Sequence, residues 1–181
     1  MWTDLRARPP QGVIRVPMYV KRLQHGLISS PARMQWKQVS SSAAMLDAAN
    51  AFGHVAGHAA MRRAVELAKS QGIGVVTVKR SNHNAAASYF CSLATDAQCI
   101  GLTCTNAHPK VAAYGGMRPV FGTNPIAFGC PTSSGVPVLV DFSTSAISGS
   151  TTRSLDAHGQ QLPEGVALDK FGKPTTDQRD L

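Results

Sequence analysis

Apolar residues recur at helical spacing in two stretches. Val16, Tyr19, Val20 and Leu23 share one face of a short helix over residues 16–23, which Gly26 ends. Residues 52–70 carry the clearest helical pattern, with Val55, Ala59, Met61, Ala64, Val65 and Ala68 near one face and Gln71-Gly72 closing the helix. The run from Ile73 to Val78 reads as a buried strand. Ser81-Asn82 are expected to cap a second helix over roughly 85–94. Cys99–Thr105 reads as a strand, followed by a loop rich in turn residues over 106–125. Ile126–Gly129 and Val136–Phe142 read as two further strands, joined as a hairpin through Ser133-Ser134-Gly135. The last forty residues are polar and turn-rich, with no amphipathic helix expected. This order of elements predicts an α/β fold with a mixed sheet.

The chain has 181 residues, 43% hydrophobic and 15% charged, which is globular composition and enough for one domain with a core. No run approaches the roughly 18 apolar residues that would span a membrane. The N-terminus lacks the apolar core of a secretory signal. Pro9 and Pro10 interrupt the amphipathic helix that a mitochondrial leader would need, so a cytoplasmic location is expected. The formal net charge is +8, and residues 1–40 hold seven Lys/Arg against one acid. These charges are scattered, without a Lys/Arg run, which disfavours a nucleic-acid partner. They suit an anionic small molecule or a solvated basic surface equally well. The four cysteines form no CxxC pair, and free buried thiols are expected rather than a zinc site.

Several segments carry candidate chemistry. Lys79 to Ala87 lies between a strand and a helix start, where backbone amides favour anions and small side chains let a ligand approach. His83 in that turn has the chemistry to exchange a proton with a substrate oxygen, and a polar helix cap is the competing reading. Gly115-Gly116 and Gly122-Thr123-Asn124-Pro125 are tight-turn signals near strand ends. Asp141 ends an apolar strand, as a ligand-facing carboxylate or as the cap of the turn through Ser143 and Thr144. His54 and His58, four residues apart, have the spacing of a metal pair without a third ligand, so packed or surface histidines are expected and no metal. No GxGxxG follows a strand, so a Rossmann site is not indicated.

Taken together, these blocks resemble the malate/L-lactate-type dehydrogenases, with the ureidoglycolate and sulfolactate dehydrogenases. Ser81-Asn82-His83-Asn84-Ala85-Ala86 is similar to the family's Ser-Asn-His-Phe-Gly-Ala turn. Tyr114-Gly115-Gly116 with Gly122-Thr123-Asn124-Pro125-Ile126-Ala127-Phe128 is similar to its Gly-Gly…Gly-Thr-Asn-Pro signature. Asp141-Phe142-Ser143-Thr144-Ser145, Pro163 to Asp169, Pro174 to Asp177 and Gly12 to Val20 extend the likeness from about residue 5 to the end. The resemblance implies a non-Rossmann α/β fold of the malate/L-sulfolactate dehydrogenase type, a homodimer, and hydride transfer between NAD or NADP and a small 2-hydroxy or 2-oxo acid. It implies that Arg15 binds the substrate carboxylate and Thr123 touches substrate. It assigns proton handling to His83, assisted by Lys110. It places His83, Asn84, Ala85, Ala86, Ala87, Asp141, Phe142 and Ser143 at the cofactor.

Three departures qualify these expectations. Gln11 stands where the family carries the histidine credited with proton transfer. Ser148-Gly149-Ser150-Thr151 is uncharged where the family has a Lys or Asp. The resemblance also covers the family's N-terminal half only, without its Gly-Gly-x-Lys-Gly segment, so residues 1–181 are expected to form a single, partial oxidoreductase domain. A dehydrogenase therefore stands beside a catalytically inactive truncated homologue or one piece of a split enzyme. A basic nucleic-acid-binding module is the least favoured alternative.

Overall fold

The computed structural model describes residues 1–180. In chain order the elements are α1 (Val16–Gln24), β1 (Gln35–Gln38), β2 (Ala43–Asp47), α2 (Gly53–Gln71), β3 (Val75–Lys79), α3 (Ala87–Asp96), β4 (Gly101–Cys104), β5 (Val111–Ala112), β6 (Pro119–Phe121), β7 (Ile126–Cys130), β8 (Val138–Phe142) and α4 (Gly149–Ala157), with single 3-10 turns around them. They divide into two compact units. Met1–Thr103 with Ala127–Asp141 forms the first, and Cys104–Ile126 with the chain from Phe142 onward forms the second.

In the first unit β2 alternates, so Ala44 and Leu46 turn inward while their neighbours face away. It pairs antiparallel with β1, Gln35 opposite Asp47, and parallel with β3, Ala43 opposite Val75, which makes this sheet mixed as expected. Helix α2 lies against the sheet and contributes Ala56 and Ala60 to a cluster with Leu46, Ala48 and Ala51. Gly72 ends α2 at φ +82°, donating its N–H to Ala68. A second cluster joins Ala87 and Cys91 of α3 to Ala127 of β7, with Leu139 of β8 against it. Strand β7 lies between β4 and β8. In this sheet Leu102 of β4, Phe128 of β7, and Val138 and Val140 of β8 are exposed.

The buried stripe of α2 is Gly53, Ala56, Ala60 and Leu67, a different face from the one the apolar spacing selected, and Val55 is exposed. Small residues win the inward positions because helix and sheet approach closely there. Strand β3 is not buried: it is a sheet edge, and only Val76 packs against the first cluster. Strand β1, of four residues, and β2, of five, both escaped the sequence reading. Ser81 and Asn82 do not cap α3, which begins at Ala87. Asn82 instead donates from Nδ2 to the backbone oxygens of Asn50 and Ala51, where it joins two loops. Of the four thiols only Cys91 is buried, and Cys104 is exposed.

In the second unit β5 and β6 pair antiparallel with a bulge at Val111/Ala112, inside the stretch expected to be all loop. The polar tail holds a helix after all. Ser148 accepts a hydrogen bond from the N–H of Thr151, which nucleates α4 without an apolar stripe. Leu162 and Ala167 are buried, and Leu168 bridges to Pro174.

Candidate active site

Arg15 ends a 3-10 turn directly before α1, and its Nε donates to the Pro10 carbonyl at 2.8 Å. One helical turn later Tyr19 projects from the same side of the chain. Its hydroxyl lies 2.7 Å from Nδ1 of His83 and 3.3 Å from Nε2 of His54. A phenol has one proton, so it donates to one imidazole and accepts from the N–H of the other, and this couples the tautomers of the two rings. Burial pushes the Tyr19 phenol above its usual pKa, against the pull of Arg15 and Arg22. Burial also holds the His54 imidazole below its usual pKa, with a further contribution from the Met1 ammonium, so His54 favours its neutral form.

The His83 turn is pressed against the start of α2. A Cβ on Gly53 would stand 2.1 Å from the Asn82 carbonyl oxygen, so only glycine permits this approach. Ala85 is held at φ +60°, a left-handed conformation that costs an L-residue energy. The glycine of the similar family turn would adopt it freely.

A cavity of about 890 Å³ opens beside this group, walled by α1, the start of α2, the 84–86 turn and the N-terminal residues. Gln11 lines it and buries its side-chain oxygen. His58 and Tyr89 also line it, joined at 2.8 Å through Nδ1 and the hydroxyl. All the lining belongs to the first unit.

Asp141 anchors α3. Its Oδ2 accepts from the backbone N–H of Ser88 at 2.8 Å and from the Ser88 hydroxyl at 2.7 Å. A carboxylate thus sits on the first turn of α3, the helix end that the sequence offered to an anion. This capping partner is Ser88, not the turn through Ser143 and Thr144.

The structure therefore gathers Tyr19, His54 and His83 into one hydrogen-bonded group, with Asn84, Ala85 and Ala86 at the cavity wall and Ala87 buried at the helix start. Lys110, Thr123, Phe142 and Ser143 belong to the second unit. There the Thr123 carbonyl accepts from the Ser143 hydroxyl and the Thr144 N–H, both at 3.0 Å. Asn124 accepts from the Ala107 N–H at 2.9 Å. The Gly-Thr-Asn-Pro block is thus a clasp between a loop and the end of β8. Lys110 and Phe142 are exposed.

The sequence reading missed Tyr19, which it counted only as part of an apolar helix face, and the polar partners of His54 and His58. The signal available was the spacing of Arg15 and Tyr19, one helical turn apart. Among the described residues no group of three or more His, Cys, Asp or Glu is placed to hold a metal. Among the described residues no helix is long and apolar enough to cross a membrane.

Comparison with known proteins agrees with this architecture. The family described as malate/L-lactate dehydrogenase matches residues 1–181. The chain is 39% identical over 174 residues to L-sulfolactate dehydrogenase of Methanothermobacter thermautotrophicus, covering 96% of this chain and 51% of that protein. It is 36% identical over 168 residues to the Delta(1)-pyrroline-2-carboxylate/Delta(1)-piperideine-2-carboxylate reductase of Pseudomonas putida, covering 93% of this chain and 49% of that protein. Among solved structures, malate dehydrogenase from Entamoeba histolytica superposes with a TM-score of 0.94 at 35% identity, covering 98% of this chain and 49% of that one. The chain thus spans about half the length of the relatives it matches. With that family matching residues 1–181 and the fold shared with its solved members, the chain belongs to the malate/L-lactate dehydrogenase family.

Proposed function

We propose that this chain supplies the carboxylate-binding and proton-handling side of a nicotinamide-dependent oxidoreductase for a small 2-hydroxy or 2-oxo acid, and that it does not complete turnover by itself. The observation that carries the proposal is the Tyr19–His83–His54 group one helical turn from Arg15. Arg15 has already placed Nε on Pro10, and its terminal nitrogens receive the carboxylate in this reading. His83 holds or moves the proton at the substrate oxygen, and Tyr19 fixes which ring nitrogen carries it. Lys110 assists, and Thr123 contacts substrate.

Two features support the second clause. Gln11 stands in the cavity wall in place of a titratable histidine, and loss of a general acid typically costs about 10²–10⁴-fold in rate. The chain also aligns with about half of each relative. Either an inactive homologue or one piece of a split enzyme satisfies the same reading.

NAD or NADP would supply or accept the hydride. The small side chains of Ala85 and Ala86 and the Asn84 amide at an open cavity fit a flat carboxamide-bearing ring. The first turn of α3 suits its phosphates poorly, because Asp141 already occupies the Ser88 N–H. Ala87, Asp141, Phe142 and Ser143 complete the proposed cofactor side, as the resemblance implies. A homodimer in the cytoplasm belongs to the same proposal, and light scattering reads the dimer.

Titration of the full chain with NADH and NADPH, followed by nicotinamide fluorescence, tests the first clause. Saturable binding that weakens in His83→Ala is expected. A folded chain that binds neither at millimolar cofactor overturns it. Assays over small 2-oxo acids test the second clause, and steady turnover by the chain alone overturns that.

A further inference from the structure

Tyr19 stands between two imidazoles, and the two contacts are unequal. Its hydroxyl lies 2.7 Å from Nδ1 of His83 and 3.3 Å from Nε2 of His54. Hydroxyl donors make the shorter hydrogen bonds, about 2.5–3.0 Å to oxygen, against about 2.7–3.2 Å for N–H donors. Of the two ways to share one phenolic proton, the distances favour donation from Tyr19 to Nδ1 of His83. The longer contact is then an N–H of His54 directed at the Tyr19 oxygen. The bonding of His54 agrees with this. His25 and His158 set Nδ1 at 2.7 and 2.6 Å from the backbone oxygen four residues earlier, which calls their proton to Nδ1. His54 meets its partner through Nε2 instead. Burial holds His54 below its usual pKa and Tyr19 above, so each keeps a single proton to place. Three separate elements bring the group together. Tyr19 comes from α1, His54 from the first turn of α2, and His83 from the turn that Gly53 lets lie against that helix start.

We propose that His54 acts through Tyr19 as a positioning residue for His83, holding the His83 proton on Nε2 and leaving Nδ1 bare. In this state His83 is set as a proton donor, the form that reduction of a 2-oxo acid consumes. Passing the Nε2 proton to the substrate oxygen, with the hydride supplied by the nicotinamide of the reading above, is balanced behind His83. The Tyr19 proton moves to His83 Nδ1, the His54 Nε2 proton moves to the Tyr19 oxygen, and His54 takes a solvent proton at Nδ1. Both rings then carry their proton on Nδ1, and the bare Nε2 of His83 is the base that the reverse oxidation uses. The proposal rests on the reading of His83 as the proton-handling residue and adds to it the direction in which the group is primed.

Nitrogen-15 NMR of the full chain reads which imidazole nitrogen is bare, without cofactor and without turnover. It is run at about pH 9, well above the ordinary imidazole pKa of about 6.5. His83 is expected to show a bare Nδ1 and a protonated Nε2. His54→Glu sets an acceptor-only carboxylate against Tyr19. The Tyr19 proton is then expected to turn to that carboxylate, and the His83 proton to shift from Nε2 to Nδ1. When Tyr19→Phe is combined with His54→Glu, the shift is expected to be lost, because the phenol that joins the two positions is gone. A protonated Nδ1 on His83 in the unaltered chain overturns the proposal, and that result needs no variant to fold. A bare Nδ1 in a folded His54→Glu chain also overturns it. So does a shift that persists with Tyr19→Phe, since the carboxylate then acts by charge alone. Titration with NADH separates the two readings. Cofactor binding with the opposite tautomer removes this proposal alone. The expected tautomers in a chain that binds no cofactor leave this one standing and remove the nicotinamide reading.

Discussion

Leu46, Phe90 and Cys91, all in the first unit, are closed to solvent, and two apolar clusters run through that unit from sheet to helix. In the second unit Leu162 and Ala167 are the buried hydrophobics among the described residues, and its shape rests on backbone bonds such as Leu162 to Thr176 and Lys110 to Phe121. The contrast shows two ways of placing a side chain. His54 is carried by α2, which is seated on the first cluster, and Tyr19 by α1, which has no buried residue. Thr123 and Ser143 are placed by a clasp of hydrogen bonds, each worth only about 0.5–1.5 kcal/mol net. The Tyr19–His54–His83 group therefore lies in the unit that holds both apolar clusters.

The largest effect that would break this contrast is in the first cluster. Leu46→Ala is expected to lower unfolding stability by about 2–5 kcal/mol in urea titration, because its cavity cannot collapse between β2 and α2. Phe171→Ala, at an exposed position of the second unit, is expected to stay within about 0.5 kcal/mol. Comparable losses would remove the contrast. Asp141→Ala strips the carboxylate from the first turn of α3 and is expected to cost about 1–2 kcal/mol in thermal unfolding, whereas Asp141→Asn, which keeps an acceptor, loses less. Ala85→Gly relieves the left-handed strain at φ +60° and is expected to gain about 1 kcal/mol. A loss there would mean that the methyl packs usefully at the cavity wall.

Two smaller effects follow from charge. His54 has its pKa depressed on folding, so its contribution is fully present above the unfolded value near 6.5 and is lost as pH falls through the folded value. His54→Gln is expected to flatten stability measured across that mildly acidic range. Asp47 is held at about 2 by Arg80, by the Ala49 N–H and by Lys79. Its contribution is full above about 4 and fades as pH falls toward 2. Asp47→Asn removes that component, a modest one because the partners are exposed.

Helices α1 and α2 were legible because a 3.6-residue period leaves its mark over nine or more residues, whereas α3 was read from Ser81-Asn82, which do not cap it. Strands β1, β5 and β6 were not, since two to four residues carry too little period to separate from a loop. Helix α4 was hidden by its lack of an apolar stripe, although its Ser148 cap was readable. The burial of β3 was overestimated because an apolar run looks the same at a sheet edge as at its centre.

By itself the sequence determined the chain's family, through the His83 turn and the Gly-Thr-Asn-Pro block, and its mixed α/β class. These rest on local order along the chain, which needs no tertiary information. Only the tertiary structure decided that Tyr19 stands between His54 and His83, 35 and 64 residues away, and that Asp141 closes on Ser88, 53 residues before it. Such meetings depend on how α2 and α3 pack on their sheets, and the identity of a hydrogen-bond partner is set by that packing rather than by spacing along the chain.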